Sequence, residues 1–365
     1  MVRRARVLVP LVIFLGACTG GAASSSSPSP SLSVGEAFLA KARDPTFSAR
    51  YTVQGDATVN GVHLHASGQG EQSGENSHEQ DTVSAQGTTF KQTEVVVDGN
   101  DYLQQSGGPW VQQPGANTDP FQRLTSVDDL GAANQNGQTV EHLRLPSDFQ
   151  LLLSDVGLAD QGVTNFSGSA DFYAMSDGTP VSLVVTLTYD QNATHVSGTT
   201  TITYADMGTP VTITAPSQFW TLYRSDAGGY SIAHPSDWRE TVYKKEPVLV
   251  DPSGFKRIWE SSLPVPSNAT LKQLVGYVAK WEKVAAVPDS AKSMTIDGAP
   301  AEVLTYHIAV AGRPSFFQQA DVLAQGHAYV IWWASKPGSE REDSKTFQDA
   351  LSTFTVLSGS GTSTV

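Results

Sequence analysis

The chain of 365 residues contains one cysteine, Cys18. A single thiol cannot form an internal disulfide, and it excludes any site built on two or more thiolates. Basic residues are scarce: 23 Lys and Arg stand against 36 Asp and Glu, a formal net charge of -13. Nucleic-acid binders need basic patches to displace phosphate counterions, so this balance argues against that class. Beyond the N-terminal segment no apolar run reaches the ~18 residues of a membrane-spanning helix. An Asp-x-Asp-x-Asp-Gly calcium loop, a P-loop, a Gly-x-Gly-x-x-Gly turn and a Gly-x-Ser-x-Gly nucleophile elbow are all missing. What remains is a chain 39% hydrophobic and 16% charged, able to bury cores and not globally disordered. Its length suits about two domains of ~150 residues each.

The N-terminal segment reads as an address. Arg3, Arg4 and Arg6 precede the apolar run from Val7 to Leu15, the layout of a secretory signal and too short to span a bilayer permanently. The run ends in Leu15-Gly16-Ala17-Cys18, which resembles a bacterial lipobox: a branched apolar residue, two small residues and the cysteine that is lipidated. Residues 1–17 are therefore expected to be a lipoprotein signal peptide. Residues 18–34 are expected to be the lipidated Cys18 and a Ser/Pro/Gly tether, since TGGAASSSSPSPSLSV cannot bury a core. Two or more acyl chains give stable anchoring where one binds only marginally.

Composition divides the remainder. Residues 35–216 hold six Lys and Arg (Lys41, Arg43, Arg50, Lys91, Arg123, Arg144) against 21 Asp and Glu, whereas residues 217–365 hold 14 against 15. Trp238, Trp259, Trp281, Trp332 and Trp333 all lie beyond the boundary, expected at 216–218, and Trp220 lies beside it. The expected domains are 35–216 and 217–357, with 358–365 as a disordered tail.

In the first region the spacing predicts a helix over Val34 to Ala42, then many strands of period two joined by Gly, Asn and Asp turns. Helices are also predicted over Pro120 to Leu130 and over Ser147 to Val156, the latter capped by Ser147 or Asp148. Val181, Leu183, Val185, Leu187 and Tyr189 alternate with Ser182, Thr186 and Thr188, and a Thr-rich strand follows from Thr194 to Tyr204. A further strand is expected at Val211-Thr212-Ile213. So many strands with few helices must hide one sheet face, and a curled sheet plugged by short helices leaves an apolar hollow. Its expected lining is Phe149, Leu152 and Leu153 with Val181, Leu183, Val185 and Leu187.

The order of these elements, with "VVVDGNDYLQQSGGPWVQQP", "DGTPVSLVVTLTY" and "TTTITYADMGTPVTITAP", is similar to the LolA/LppX-type lipoprotein-carrier superfamily. Tyr102 and Trp110 stand where family members carry a Tyr after an Asp-Gly turn and a Trp a few residues on. Asp206, Gly208, Pro210, Val211 and Pro216 match its terminal pattern. The resemblance implies an unclosed half-barrel holding acyl chains. The segment 66–86 departs from it in its polarity, with Glu71, Gln72, Glu75, Asn76, Glu79 and Gln80 among its residues.

The second region opens with Asp226-Ala227-Gly228-Gly229-Tyr230-Ser231-Ile232-Ala233-His234-Pro235-Ser236-Asp237-Trp238, which reads as a tight turn, a strand ended by Pro235 and a large apolar anchor. A helix is predicted over Thr270 to Ala285, with Thr270 and Gln273 as a capping box and Leu271, Leu274, Val275, Val278, Trp281 and Val284 as its stripe. A meander follows over Ala301–Val310, Ser315–Ala324 and His327–Ser335, then a helix over Ser344 to Phe354. This order resembles the PsbP/Mog-type α/β/α sandwich, whose members are mostly binding or assembly factors. The combined expectation is an α+β chain: a curled antiparallel half-barrel closed by short helices, then an α/β/α sandwich with an antiparallel sheet.

Chemistry is sparse. His63 and His65 share one strand face and, with His78, are the only metal-ligand spacing of note, but no third ligand is readable and they read as solvated strand residues. His234 sits near Ser231, Ser236 and Asp237 yet lacks a nucleophile elbow, and it reads as a packed histidine. No catalytic residue, metal or cofactor is expected. The expected function is a membrane-anchored extracytoplasmic lipoprotein that binds a lipid or other apolar ligand in its first domain. The second domain is expected to contact an envelope protein. The alternative is an envelope sensor or scaffold, since a LolA-like fold before a smaller domain is also the arrangement of RseB-like regulators.

Overall fold

The computed structural model describes residues 32–44, 46–113, 126–145, 163–191, 194–243, 246–266, 268–281, 287–310 and 313–357. The chain divides into two compact units between Ser217 and Gln218. The described residues are mostly strand with three helices, an α+β composition built on open antiparallel sheets.

The first unit begins with α1 (Val34–Ala42), where Ser33 and Glu36 form the reciprocal cap that satisfies two otherwise orphaned N–H groups. Six strands follow: β1 (Ser48–Val59), β2 (Val62–Ser73), β3 (Asn76–Ala85), β4 (Thr88–Val97), β5 (Asn100–Gln105) and β6 (Trp110–Gln112). Five more complete the unit: β7 (Asp128–Gln135), β8 (Gln138–Arg144), β9 (Val163–Ala174), β10 (Pro180–Gln191) and β11 (Thr194–Ala205). Within the unit they are ordered β6-β5-β4-β3-β2-β1-β11-β10-β9-β8-β7, all antiparallel where paired, and β6 and β7 do not pair with each other. Tight turns at Asn60-Gly61, Gln86-Gly87, Asp98-Gly99 and Asn136-Gly137 set the hairpins. In each, both central residues have positive φ, the geometry that two-residue hairpin turns require.

One face of this sheet is buried. On β1, Ala49, Tyr51 and Val53 are buried while Arg50, Thr52 and Gln54 are exposed. Register then aligns Val53, Ile202, Leu183, Phe172 and Leu143 as a row across β1, β11, β10, β9 and β8. All five are at most 2% exposed. Burying each such side chain contributes roughly 1.5–3 kcal/mol. Phe38 of α1 closes on the row, its ring centroid 4.7 Å from that of Phe172.

Two sequence expectations fail in this unit. Asp128 to Leu130, expected at the end of a helix, lie instead in β7, where Asp128 and Asp129 pair with Arg144 and Leu143 of β8 and Leu130 sits in a register shift. Val211 to Ile213 form no strand: they find no partner strand, and the prolines at 210 and 216 donate no N–H. The helix expected over Ser147 to Val156 lies outside the described residues, as do 120–125.

In the second unit β12 (Trp220–Ser225), β13 (Tyr230–Pro235) and β21 (Thr355–Val356) form one ladder, with β13 paired to both others. A seven-stranded antiparallel sheet comprises β14 (Arg239–Tyr243), β15 (Glu246–Val250), β16 (Arg257–Pro264), β17 (Ser290–Ile296), β18 (Ala299–Val310), β19 (Arg313–Ala324) and β20 (His327–Ser335). Its order is β14-β15-β16-β20-β19-β18-β17. Helix α2 (Leu271–Trp281) has the expected cap: Gln273 N–H donates to Thr270 Oγ1 and Thr270 N–H to Gln273 Oε1. Helix α3 (Glu340–Thr353) starts four residues before its expected position, with Glu340, Glu342 and Asp343 in the first turn where the helix dipole favours negative charge.

Alternation along β20 serves both helices. Tyr329, Ile331 and Trp333 pack in one cluster with Phe347, Ala350 and Leu351 of α3. Ala328, Val330 and Trp332 pack in another with Leu274 and Val278 of α2. Both tryptophans are thus core: Trp333 lies 5.5 Å from Trp238, and Trp332 stacks on Trp259 at 5.8 Å.

Candidate functional site

Of the residues expected to line an apolar hollow, Leu183, Val185 and Leu187 are buried on the inner face of the first unit. Val181 is half-buried, at a register shift between Pro180 and Ser182. Phe149, Leu152 and Leu153 lie outside the described residues, as do Leu15, Gly16, Ala17 and Cys18. Two hollows are prominent elsewhere. One of about 590 Å³ opens beside Thr139, Glu141, Met175 and Asp177. The other, about 380 Å³, runs over Thr52, Gln54, Gln69, Gln80 and Lys91. Of the expected apolar residues that are described, Val181, Leu183, Val185 and Leu187, none bounds either hollow.

The inner face also holds a feature that no apolar pattern announces. Strict alternation places Glu79 and Asp81 of β3 on it, and the β3–β4 register sets Glu94 opposite Glu79 and Gln92 opposite Asp81. Asp101 of β5 pairs with Val96, two residues on from Glu94 and on the same face. Glu79, Asp81, Glu94 and Gln92 are 4–7% exposed. Among the described residues the inner face of β1 to β5 carries no Lys, Arg or His.

Two glycines in β2 make the space. Tyr51 of β1 lies across Gly70, where an added Cβ would come within 2.2 Å of its ring, and its hydroxyl donates to Glu79 Oε2 at 2.8 Å. Asp81 lies across Gly68, where an added Cβ would meet its Oδ1 at 2.0 Å. Burial, and then the Asp81 charge, hold the Glu79 carboxyl well above the usual carboxylate range, against the Tyr51 hydrogen bond. Burial raises Glu94 likewise, helped by the charge of Asp101. Asp81 and Asp101 are each pushed up to about 6 by burial. The four carboxyls therefore retain protons well above the ordinary carboxylate range, and neighbours within Glu79–Asp81 and Glu94–Asp101 share them.

The other expected candidates stay apart from this patch. His63 meets Thr58 Oγ1 at 3.2 Å and His65 meets Asp56 Oδ1 at 3.0 Å, both exposed. Among the described residues no group of three or more His, Cys, Asp or Glu is placed to hold a metal ion. His234 is 7% exposed, and its Nδ1–H donates to the Pro235 carbonyl at 2.9 Å rather than to a serine or Asp237. Burial lowers its pKa. Tyr102 is buried on the opposite face from the acidic patch, paired with Val95 and Gln112. In the second unit the Tyr230 hydroxyl donates to buried Glu260, which the sequence pattern did not single out.

Sequence reasoning registered the polarity of 66–86 without resolving it into a site. The signal available was the i, i+2 pair Glu79 and Asp81, followed across a hairpin by Gln92 and Glu94.

No family model matches the chain, and no curated protein matches it significantly. Solved structures similar to it include the cyanobacterial PsbP protein of Synechocystis, at 16% identity and TM-score 0.33, covering 41% of this chain and 98% of that one. LprF of Mycobacterium bovis is similar at 13% identity and TM-score 0.25, covering 46% of this chain and 89% of that one. MucB, solved in complex with the periplasmic part of MucA, is similar at 14% identity and TM-score 0.20, covering 89% of this chain and 99% of that one. At these values each is a likeness, and none transfers a residue role. Among the described residues no helix is long and apolar enough to cross a membrane.

Proposed function

We propose that this chain is a lipid-anchored extracytoplasmic binding protein rather than an enzyme. Its first unit, a half-barrel over 35–216 closed by short helices, binds a lipid acyl chain or another apolar ligand on its inner face. Its second unit, an α/β/α sandwich over 217–357, is the protein-contact module. The observation that supports this reading is the apolar row from Val53 to Leu143, which concentrates apolar surface on one face of an open sheet. Ligand sites are concave and predominantly apolar, and such a face supplies the required wall. Cys18, in its lipobox context, supports the anchor.

A second reading, an envelope sensor or scaffold of RseB-like type, draws on the close packing of that same row, at most 2% exposed. Native mass spectrometry of a Cys18→Ser protein secreted in its host separates the two. Co-purified lipid is the expected result. A clean apo mass, with no uptake of a fluorescent fatty acid, would refute ligand binding, and cross-linking to a membrane protein would then favour the scaffold. The same substitution is expected to move the protein from the membrane to the soluble fraction, and retention on the membrane would remove the anchor.

A further inference from the structure

The inner face of β3 to β5 holds buried acceptors that meet no donor among the described residues. Glu79 Oε1, Asp81 Oδ1 and Asp101 Oδ1 are buried without a hydrogen-bond partner among the described residues. So is Gln92 Oε1, on a side chain 4% exposed that sits opposite Asp81 in the strand register. Gln92 is neutral, so its orphaned oxygen is not explained by repulsion among carboxylates. An amide oxygen buried without a donor keeps its desolvation cost with nothing to offset it. Tyr51 donates into the patch at Glu79 Oε2, which leaves these four oxygens unserved. A proton shared within the Glu79–Asp81 pair is not available to the amide opposite.

We propose that this patch receives the ammonium group of an amphiphile whose alkyl chain lies along the apolar row. The inference rests on the apolar-ligand reading above and adds the chemistry of the head group. An ammonium carries three N–H donors and a positive charge, which answers both the donor deficit and the acidic surroundings. A carboxylate or phosphate head would meet like charge, and a hydroxyl would supply a single donor without charge. The geometry suits one molecule: from β3 through β2, β1 and β11 to β10 is four strand spacings, about 19 Å. Val53 and Ile202 lie on that path and Leu183 ends it.

The test uses the full chain with Cys18→Ser and titrates decylamine, decanol and decanoate by calorimetry near neutral pH. Decylamine is expected to bind once per chain and roughly tenfold or more tighter than decanol, the effect of one charge-assisted hydrogen bond. Decanoate is expected to bind weakest. In Glu79→Gln/Glu94→Gln the preference for decylamine should vanish while decanol affinity is kept. The three-ligand comparison on the Cys18→Ser chain needs no patch variant, so a folding defect in the double variant does not obscure it. Equal affinities for decylamine and decanol, or a preference that survives the double substitution, would overturn the ammonium assignment and leave the apolar-ligand reading standing. Binding of none of the three would remove both.

Discussion

The Tyr51 hydroxyl reaches Glu79 Oε2 at 2.8 Å by laying its ring across Gly70, on the strand between them. The contact joins β1 to β3 over the top of β2, and it exists because β2 presents hydrogen where other residues present a Cβ. Gly68 does the same for Asp81. The acidic patch is therefore a construction of five adjacent strands, β1 to β5, with the glycines as necessary to it as the carboxyls.

Gly70→Ala should destabilise the first unit by roughly 1–3 kcal/mol, because the new methyl overlaps a buried ring. Gly68→Ala should do likewise through Asp81. Gly276→Ala is the informative contrast. That glycine lies in α2 with nothing within 4 Å of an added Cβ, and replacing it should stabilise the helix by about 0.5–1 kcal/mol. Denaturant midpoints of the three variants check these signs, and a neutral Gly70→Ala would refute the close approach.

Stability of the first unit should fall as pH rises from about 4 to 6 and above. An unfolded aspartate ionises near 3.8, whereas folded Asp81 and Asp101 hold their protons to about 6. Between those values the folded state binds more protons, so raising pH favours unfolding, and the loss is complete above the folded value. Glu79 and Glu94, raised by burial as well, act in the same sense. A tenfold gain in proton affinity on folding corresponds to about 1.4 kcal/mol, shared among coupled groups. Asp177, held low by its hydrogen bond from Lys41, acts in the opposite sense and favours unfolding at more acid pH. Urea unfolding across this range should show the decline, and Glu79→Gln/Glu94→Gln should flatten it. Stability that rises steadily to neutrality in the unsubstituted chain would contradict the patch.

Tyr51→Phe should raise the Glu79 pKa further, since the hydroxyl is the donor that partly stabilises its ionised form. The pH at which stability declines should move upward with it. Side-chain carboxyl NMR titration of Glu79 reads this directly, and an unchanged or lowered midpoint would show that the hydroxyl does not stabilise the carboxylate.

Trp333→Ala should cost about 3–5 kcal/mol, the usual effect of deleting a large core aromatic. Trp333 is fully buried between Trp238 and Phe347 of α3. Trp332→Ala should also destabilise, through loss of its stack on Trp259 and its packing with α2. Thermal unfolding compares them, and a neutral Trp332→Ala would place that ring outside the core.

Local signals carried far in this chain. Helix α1 and strand β20 begin and end where periodicity and turn residues place them, because caps and positive-φ turns act within a few residues. Period two alone puts Leu183, Val185 and Leu187 on one face, expected to line a hollow, and the structure buries all three. Charge and tryptophan content change near residue 217, and the two compact units divide between Ser217 and Gln218. Asp128 and Asp129 were not legible as strand, since their partner β8 decides it. Nor was the fate of Glu79, Asp81, Glu94 and Asp101. By themselves those residues are ordinary exposed strand carboxyls, and the polarity of 66–86 reads as solvation. Burial and charge proximity are properties of register between strands, so only the tertiary structure could gather four carboxyls and Gln92 on one covered face. Sequence determined which residues alternate and where the chain turns; long-range pairing decided which of the alternating faces is hidden, and with it the chemistry the site offers.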